Sequence, residues 1–132
     1  MKITPDTNVL VRIATMDNEV QTAMALRALE KAEAIVVPLT TLCEFVWVLK
    51  QSYKRPAAEV AGSLRELLSS SIVETNRPAA DAGLTVLLAG GDFADGVIAF
   101  EGAQSGGSTF LTFDKKAASL IKKIGIEAEL LA

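Results

Sequence analysis

Lys2-Ile3-Thr4-Pro5-Asp6-Thr7-Asn8-Val9-Leu10-Val11 opens the chain with a short strand over 2–4, a turn that carries an acid, and a helix beginning near Val9. The same order returns near the other end. Gly106-Gly107 turns into a strand over Thr109–Thr112, Asp114 follows, and a helix runs from Lys115 to a stop at Gly125. Between them, short apolar strands alternate with helical stretches. Asn18 is placed to cap a helix reaching about Lys31, and Ala34-Ile35-Val36-Val37 reads as a buried strand closed by Pro38. Leu42, Phe45, Val46 and Leu49 then fall at i, i+3, i+4 and i+7 on one apolar helix face. Pro56 opens a helix with Val60, Leu64, Leu67 and Leu68, and Ile72–Thr75 is the next strand. Pro78 begins a helix ending near Gly90-Gly91, Asp92 caps another through Val97, Ile98 and Ala103, and Ile126–Leu130 is a last edge strand. Strands separated by helices pair in parallel through right-handed crossovers, which predicts a three-layer α/β/α sandwich. In such sheets ligands sit beyond the carboxyl ends of the strands, where strand order reverses.

The 132 residues show no repeat, linker or low-complexity tract, so a single domain over 1–132 is expected. Half the residues are hydrophobic and the mean hydropathy is +0.34, an excess that points to an interface, either a homodimer or a bound partner. No apolar run approaches the roughly 18 residues of a membrane span. The N-terminus lacks a signal-peptide core and the lone Cys43 has no disulfide partner, so a cytoplasmic protein is expected. A net charge of −3 argues mildly against avid, nonspecific nucleic-acid binding. The basic clusters Lys50, Lys54, Arg55 and Lys115, Lys116, Lys122, Lys123 read, taken alone, as solvated helix faces.

Chemistry concentrates in acids at strand-to-helix junctions. Asp6, Glu44, Asp95 and Asp114 occupy matching positions in a chain without histidine. Carboxylate oxygen and water are the ligands that Mg²⁺ and Mn²⁺ prefer, so the set points to metal-assisted phosphate chemistry. Each acid also has a plainer reading. Asp6 and Asp114 would serve as N-caps; in the metal-binding role, Thr7 and Asn8 would orient Asp6 by hydrogen bonds. Glu44 lies off the apolar stripe, on the solvent side of its helix or facing a cation. Asp92 and Asp95 open a helix as Asp-x-x-Asp. Asp92 is assigned mainly to the cap and Asp95 to the site, and the roles could be exchanged.

Without histidine there is no Ser-His-Asp or Cys-His arrangement and no usual zinc site, and Cys43 reads as a small buried hydrophobe. No Gly-rich loop ending in Lys-Ser/Thr exists, and Gly90-Gly91 precedes a helix outside any G-x-G-x-x-G context. A receiver-like phosphoacceptor domain would need an acid pair after the first strand and an acceptor Asp after the third. Thr7-Asn8 and Glu74-Thr75-Asn76 stand there instead. A dehalogenase-type phosphatase would need Asp-x-Asp, and Asn8 takes the second position. A binding module of little or no activity, which only engages a partner, is the other alternative.

Four blocks, Ile3–Arg12, Thr41–Leu49, Asp92–Ala99 and Leu111–Asp114, together resemble the PIN-domain ribonucleases, and among them the VapC toxins of toxin–antitoxin pairs. The resemblance covers essentially the whole chain. It implies a parallel five-stranded sheet of order 3-2-1-4-5 and a Mg²⁺- or Mn²⁺-dependent endoribonuclease. It further implies a homodimer and inhibition by a cognate VapB-like antitoxin. Carried over, Asp6, Glu44, Asp95 and Asp114 form the acidic site, supported by Asn8 and Thr112, with Asp92 beside it. The substrate, whether tRNA, rRNA or mRNA, is left open, with Arg12, Lys50, Lys54 and Arg55 as basic residues available for recognition. Gly96 departs from the relatives' usual Ala and is expected to loosen its helix slightly.

Overall fold

The computed structural model describes residues 1–132, which divide into two units, Met1–Thr75 and Asn76–Ala132. In the first, β1 (Lys2–Ile3) ends at Thr4-Pro5, and Asp6 caps α1 (Thr7–Thr15) by accepting the Val9 N–H. Met16 closes α1 in a left-handed conformation (φ 53°), and its N–H reaches the Arg12 carbonyl at 2.8 Å. Asn18 caps α2 (Glu19–Glu30), as its side chain type favours. Next come β2 (Ala34–Val36), α3 (Leu39–Trp47), a π-helical turn over Val48–Ser52, α4 (Ala57–Leu68) and β3 (Val73–Glu74). Pro38 and Pro56 stand just before α3 and α4, where a missing N–H costs no helical bond.

β2 lies between β1 and β3, in parallel register, with Ile3 opposite Ile35 and Ile35 opposite Val73. The stripe expected on α3 is the buried one: Leu42, Phe45, Val46 and Leu49 are all at most 3% exposed. Val60, Ala61 and Leu64 of α4 are fully buried too. α1 contributes Leu10 and Val11 to this core.

The second unit contains α5 (Arg77–Leu88), α6 (Phe93–Gln104), β4 (Thr109–Thr112), α7 (Lys115–Lys123) and β5 (Glu127–Leu130). β4 and β5 pair in parallel, Thr109 opposite Glu127 through Thr112 opposite Leu130. Val86, Ala99, Leu120 and Ile121 form its core, covered by Phe110, Ile124, Ile126 and Ala128. α5 and α6 approach so closely that a Cβ on Gly96 would stand 2.6 Å from the Ala82 carbonyl oxygen and 2.8 Å from the Gly83 Cα. Gly96 therefore tightens the crossing. The expected loosening of the helix is corrected: a methyl group there would meet backbone that cannot turn aside.

The α/β class and the parallel pairing hold. Of the expected order 3-2-1-4-5 the neighbours 3-2-1 and 4-5 hold, but in two sheets of three and two strands instead of one of five. β1 is two residues long and Pro5, two positions beyond its end, has no N–H, so little backbone is left to extend the pairing. No helix is long and apolar enough to cross a membrane.

Candidate metal centre

In the second unit two acids are fixed by capping, Asp92 in the turn between α5 and α6, not after a strand as expected, and Asp114 in the turn between β4 and α7. Asp92 Oδ1 accepts the Ala94 N–H at 3.0 Å at the start of α6. Asp114 Oδ1 accepts from Lys116 N at 2.8 Å and Ala117 N at 3.0 Å at the start of α7. The Thr112 hydroxyl oxygen in turn accepts the Asp114 N–H at 3.0 Å, which holds the turn that presents the carboxylate. Asp95 sits in the first turn of α6, half-buried, with its N–H bonded to the Asp92 carbonyl at 3.1 Å. Burial pushes the Asp95 carboxyl above the usual carboxylate range, and the nearby charges of Asp92 and Asp114 add to the effect. Asp92 is thus the cap, while Asp95 is the acid whose ionised form is unfavourable.

The first unit holds the other two. Asp6 is exposed and its Oδ1 accepts the Val9 N–H at 3.2 Å. Glu44 is exposed on α3, off the buried stripe, and enters no ion pair. Beside Asp6 opens a cleft of about 380 Å³ between α1 and α2, lined by Asn8, Val9, Arg12, Gln21, Met24 and two alanines of α2. Arg12 is not a free surface cation. Its Nε donates to Gln21 Oε1 at 2.7 Å, and its Nη1 donates to Asp17 Oδ1 at 3.3 Å and to the Tyr53 hydroxyl at 3.1 Å. Tyr53 donates to Asp17 Oδ2 at 2.9 Å and Thr15 to Asp17 Oδ1 at 2.9 Å. The Thr15 and Tyr53 hydroxyls, with the Arg12 guanidinium, hold the Asp17 carboxyl below the usual range. The chain's two non-glycine residues with positive φ, Met16 and Lys54, adjoin Asp17 and Tyr53, so local backbone strain is tolerated at both ends of this network.

Oxygen donors of this kind fit a hard divalent cation. The capped acids bind their N–H groups through Oδ1. No group of three His, Cys, Asp or Glu side chains converges to ligate an ion as the side chains stand. The effect of Asp92 and Asp114 on Asp95 is compatible with that, because charges are felt over several ångströms more than a metal–oxygen bond spans. Sequence reading missed Asp17, Gln21 and Tyr53. Tyr53 is 41 residues from Arg12, and no local pattern links them.

The fold and the acids define a class: an α/β protein with carboxylates at or near helix starts, one of them, Asp95, raised first by burial and then by its acidic neighbours. The PIN domain family matches residues 3–123, a span that runs through both units, and the chain belongs to that family. PIN domains are generally nucleases that use divalent metal ions, which supports a nuclease of the hydrolase class. A comparison with curated proteins finds no match.

Proposed function

We propose that the chain is a Mg²⁺- or Mn²⁺-dependent endoribonuclease, the VapC-type toxin of a toxin–antitoxin pair, restrained by a cognate VapB-like antitoxin. One observation carries the nuclease reading: Asp95 is a half-buried acid raised by burial and by two further acids, a position that a cation relieves. A bound divalent ion lowers the pKa of water and neutralises developing charge on phosphoryl oxygens. Asp6, Asp95 and Asp114 are the residues assigned to hold it, and Glu44 is assigned to orient the attacking water. Thr112 fixes the Asp114 backbone, and Asn8 stands within the Asp6 turn as a support. Attack by water instead of the ribose 2′-OH leaves 5′-phosphate and 3′-hydroxyl ends.

Single-stranded loops of tRNA, rRNA or mRNA are the proposed substrates, since unstacked bases are what proteins read in RNA. Exposed Trp47 and Phe113, at 61% and 83%, support an apolar interface of the kind a homodimer or a bound antitoxin needs. An antitoxin arginine would pair with the acids and compete with the metal. The proposed compartment is the cytoplasm.

The test is incubation of purified total RNA with the chain and Mg²⁺ or Mn²⁺, against EDTA and Asp6→Asn, with product ends mapped. Discrete cuts bearing 5′-phosphates, lost in EDTA and reduced on the order of 100-fold or more in the variant, are expected. Cyclic 2′,3′-phosphate ends, or full activity in Asp6→Asn, would defeat the mechanism. A second reading, a PIN-like binding module of weak activity, is favoured by the lack of three converging ligands. It expects no metal-dependent cleavage.

A further inference from the structure

We infer that the cleft beside Asp6 is a subsite for one nucleobase of the RNA, with Gln21 as its hydrogen-bond donor; the inference takes its purpose from the nuclease reading. Asp6, assigned to the metal, is one of the residues lining the cleft, so a base held there belongs to a nucleotide close to the scissile phosphate. The walls divide by chemistry. Val9 and Met24 give apolar surface against which the face of a base can lie, and Asn8 and Gln21 bring amides able to pair with its edge. The cleft, of about 380 Å³, is open to solvent, so a splayed nucleotide can reach it.

The hydrogen-bond network then fixes what Gln21 can say to a base. Arg12 has only donors, so the Gln21 oxygen faces Arg12 Nε at 2.7 Å and the amide nitrogen is left as the donor end. Asp17 and Tyr53 hold Arg12 on its other side, which keeps that orientation from reversing. The amide nitrogen donates to an acceptor on the edge of a base, a ring nitrogen or a carbonyl oxygen. Every base carries such an acceptor, so this contact holds a base without selecting among the four.

Only three methionines occur, which makes methyl NMR a direct test on the full chain. The probes are the four ribonucleoside 5′-monophosphates and ribose 5-phosphate, none of which requires cleavage. The expected result is a ring-current shift of the Met24 methyl with the nucleotides and not with ribose 5-phosphate, Met1 and Met16 staying unmoved. Gln21→Ala should weaken the nucleotide binding read at Met24 by roughly threefold to tenfold. An unmoved Met24, an equal response to the nucleotides and to ribose 5-phosphate, or unchanged nucleotide binding in Gln21→Ala would each overturn the subsite. Selective Met24 shifts in a chain that cuts no RNA would support the subsite and fault the nuclease reading instead.

Discussion

At the scale of single residues, the acids carry two duties that substitution can separate. Asp114 receives two backbone N–H groups and Asp6 one, so alanine at either position removes a cap worth about 1 kcal/mol. Asparagine caps as well as aspartate and lacks the charge. Urea denaturation should therefore show Asp114→Ala destabilised by about that amount and Asp114→Asn nearly unchanged, while both lose cleavage on the order of 100-fold or more. If asparagine keeps the activity, capping is the whole role of Asp114. Thr112→Val is the matching test of support: it removes the hydroxyl that accepts the Asp114 N–H, costing about 1 kcal/mol and about 10- to 100-fold in activity. The acids and their capping partners were legible in the sequence because a cap is local, decided within three or four residues. The Arg12–Asp17–Tyr53 network was not, because nothing in a one-dimensional pattern indicates that Tyr53 meets the end of α1.

At the scale of elements, two glycines give opposite predictions. Gly62 lies in α4 with nothing within 4 Å of an added Cβ, so Gly62→Ala should stabilise by about 0.5–1 kcal/mol through helix propensity. Gly96 lies in α6, where propensity also favours alanine, but its Cβ would meet the Ala82 carbonyl at 2.6 Å. Overpacking against backbone wins there, and Gly96→Ala should destabilise by about 1–3 kcal/mol. Thermal unfolding of both variants checks the pair; a more stable Gly96→Ala would mean that α5 and α6 cross less tightly than described. Helix and strand positions could be read from periodicity and from Pro, Gly and Asp punctuation. How close two helices come could not, because it depends on which residues meet, and Gly83 and Gly96 are thirteen positions apart in the sequence.

At the scale of the molecule, parallel pairing followed from strands alternating with helices, whereas sheet continuity did not, since a two-residue strand ending at Ile3 leaves few groups to pair. The same scale holds the pH dependence, where two aspartates act with opposite sign. Asp95 has a raised folded pKa, so across the window above the unfolded value the folded chain keeps more protons than the unfolded one. Its contribution to stability therefore falls as pH rises through that window and stays unfavourable above it. Asp17 has a lowered folded pKa, so its contribution is fully present above its ordinary value of 3.8 and is lost as pH falls through the folded pKa. Without added metal, Asp95→Asn should thus be more stable than the parent near pH 7, with the gain vanishing toward about pH 3. Tyr53→Phe, which removes the 2.9 Å bond to Asp17, should be less stable near pH 7, with the loss shrinking as Asp17 protonates. Divalent metal should reverse the first result. An ion at ten times its dissociation constant adds about 1.4 kcal/mol to the parent, and Asp95→Asn, lacking the charge, gains less. Denaturation curves from about pH 3 to about pH 7, with and without Mg²⁺, decide the matter. A parent more stable than Asp95→Asn in metal-free buffer near neutrality would show that Asp95 is not held against its charge, and the metal centre would lose its main support.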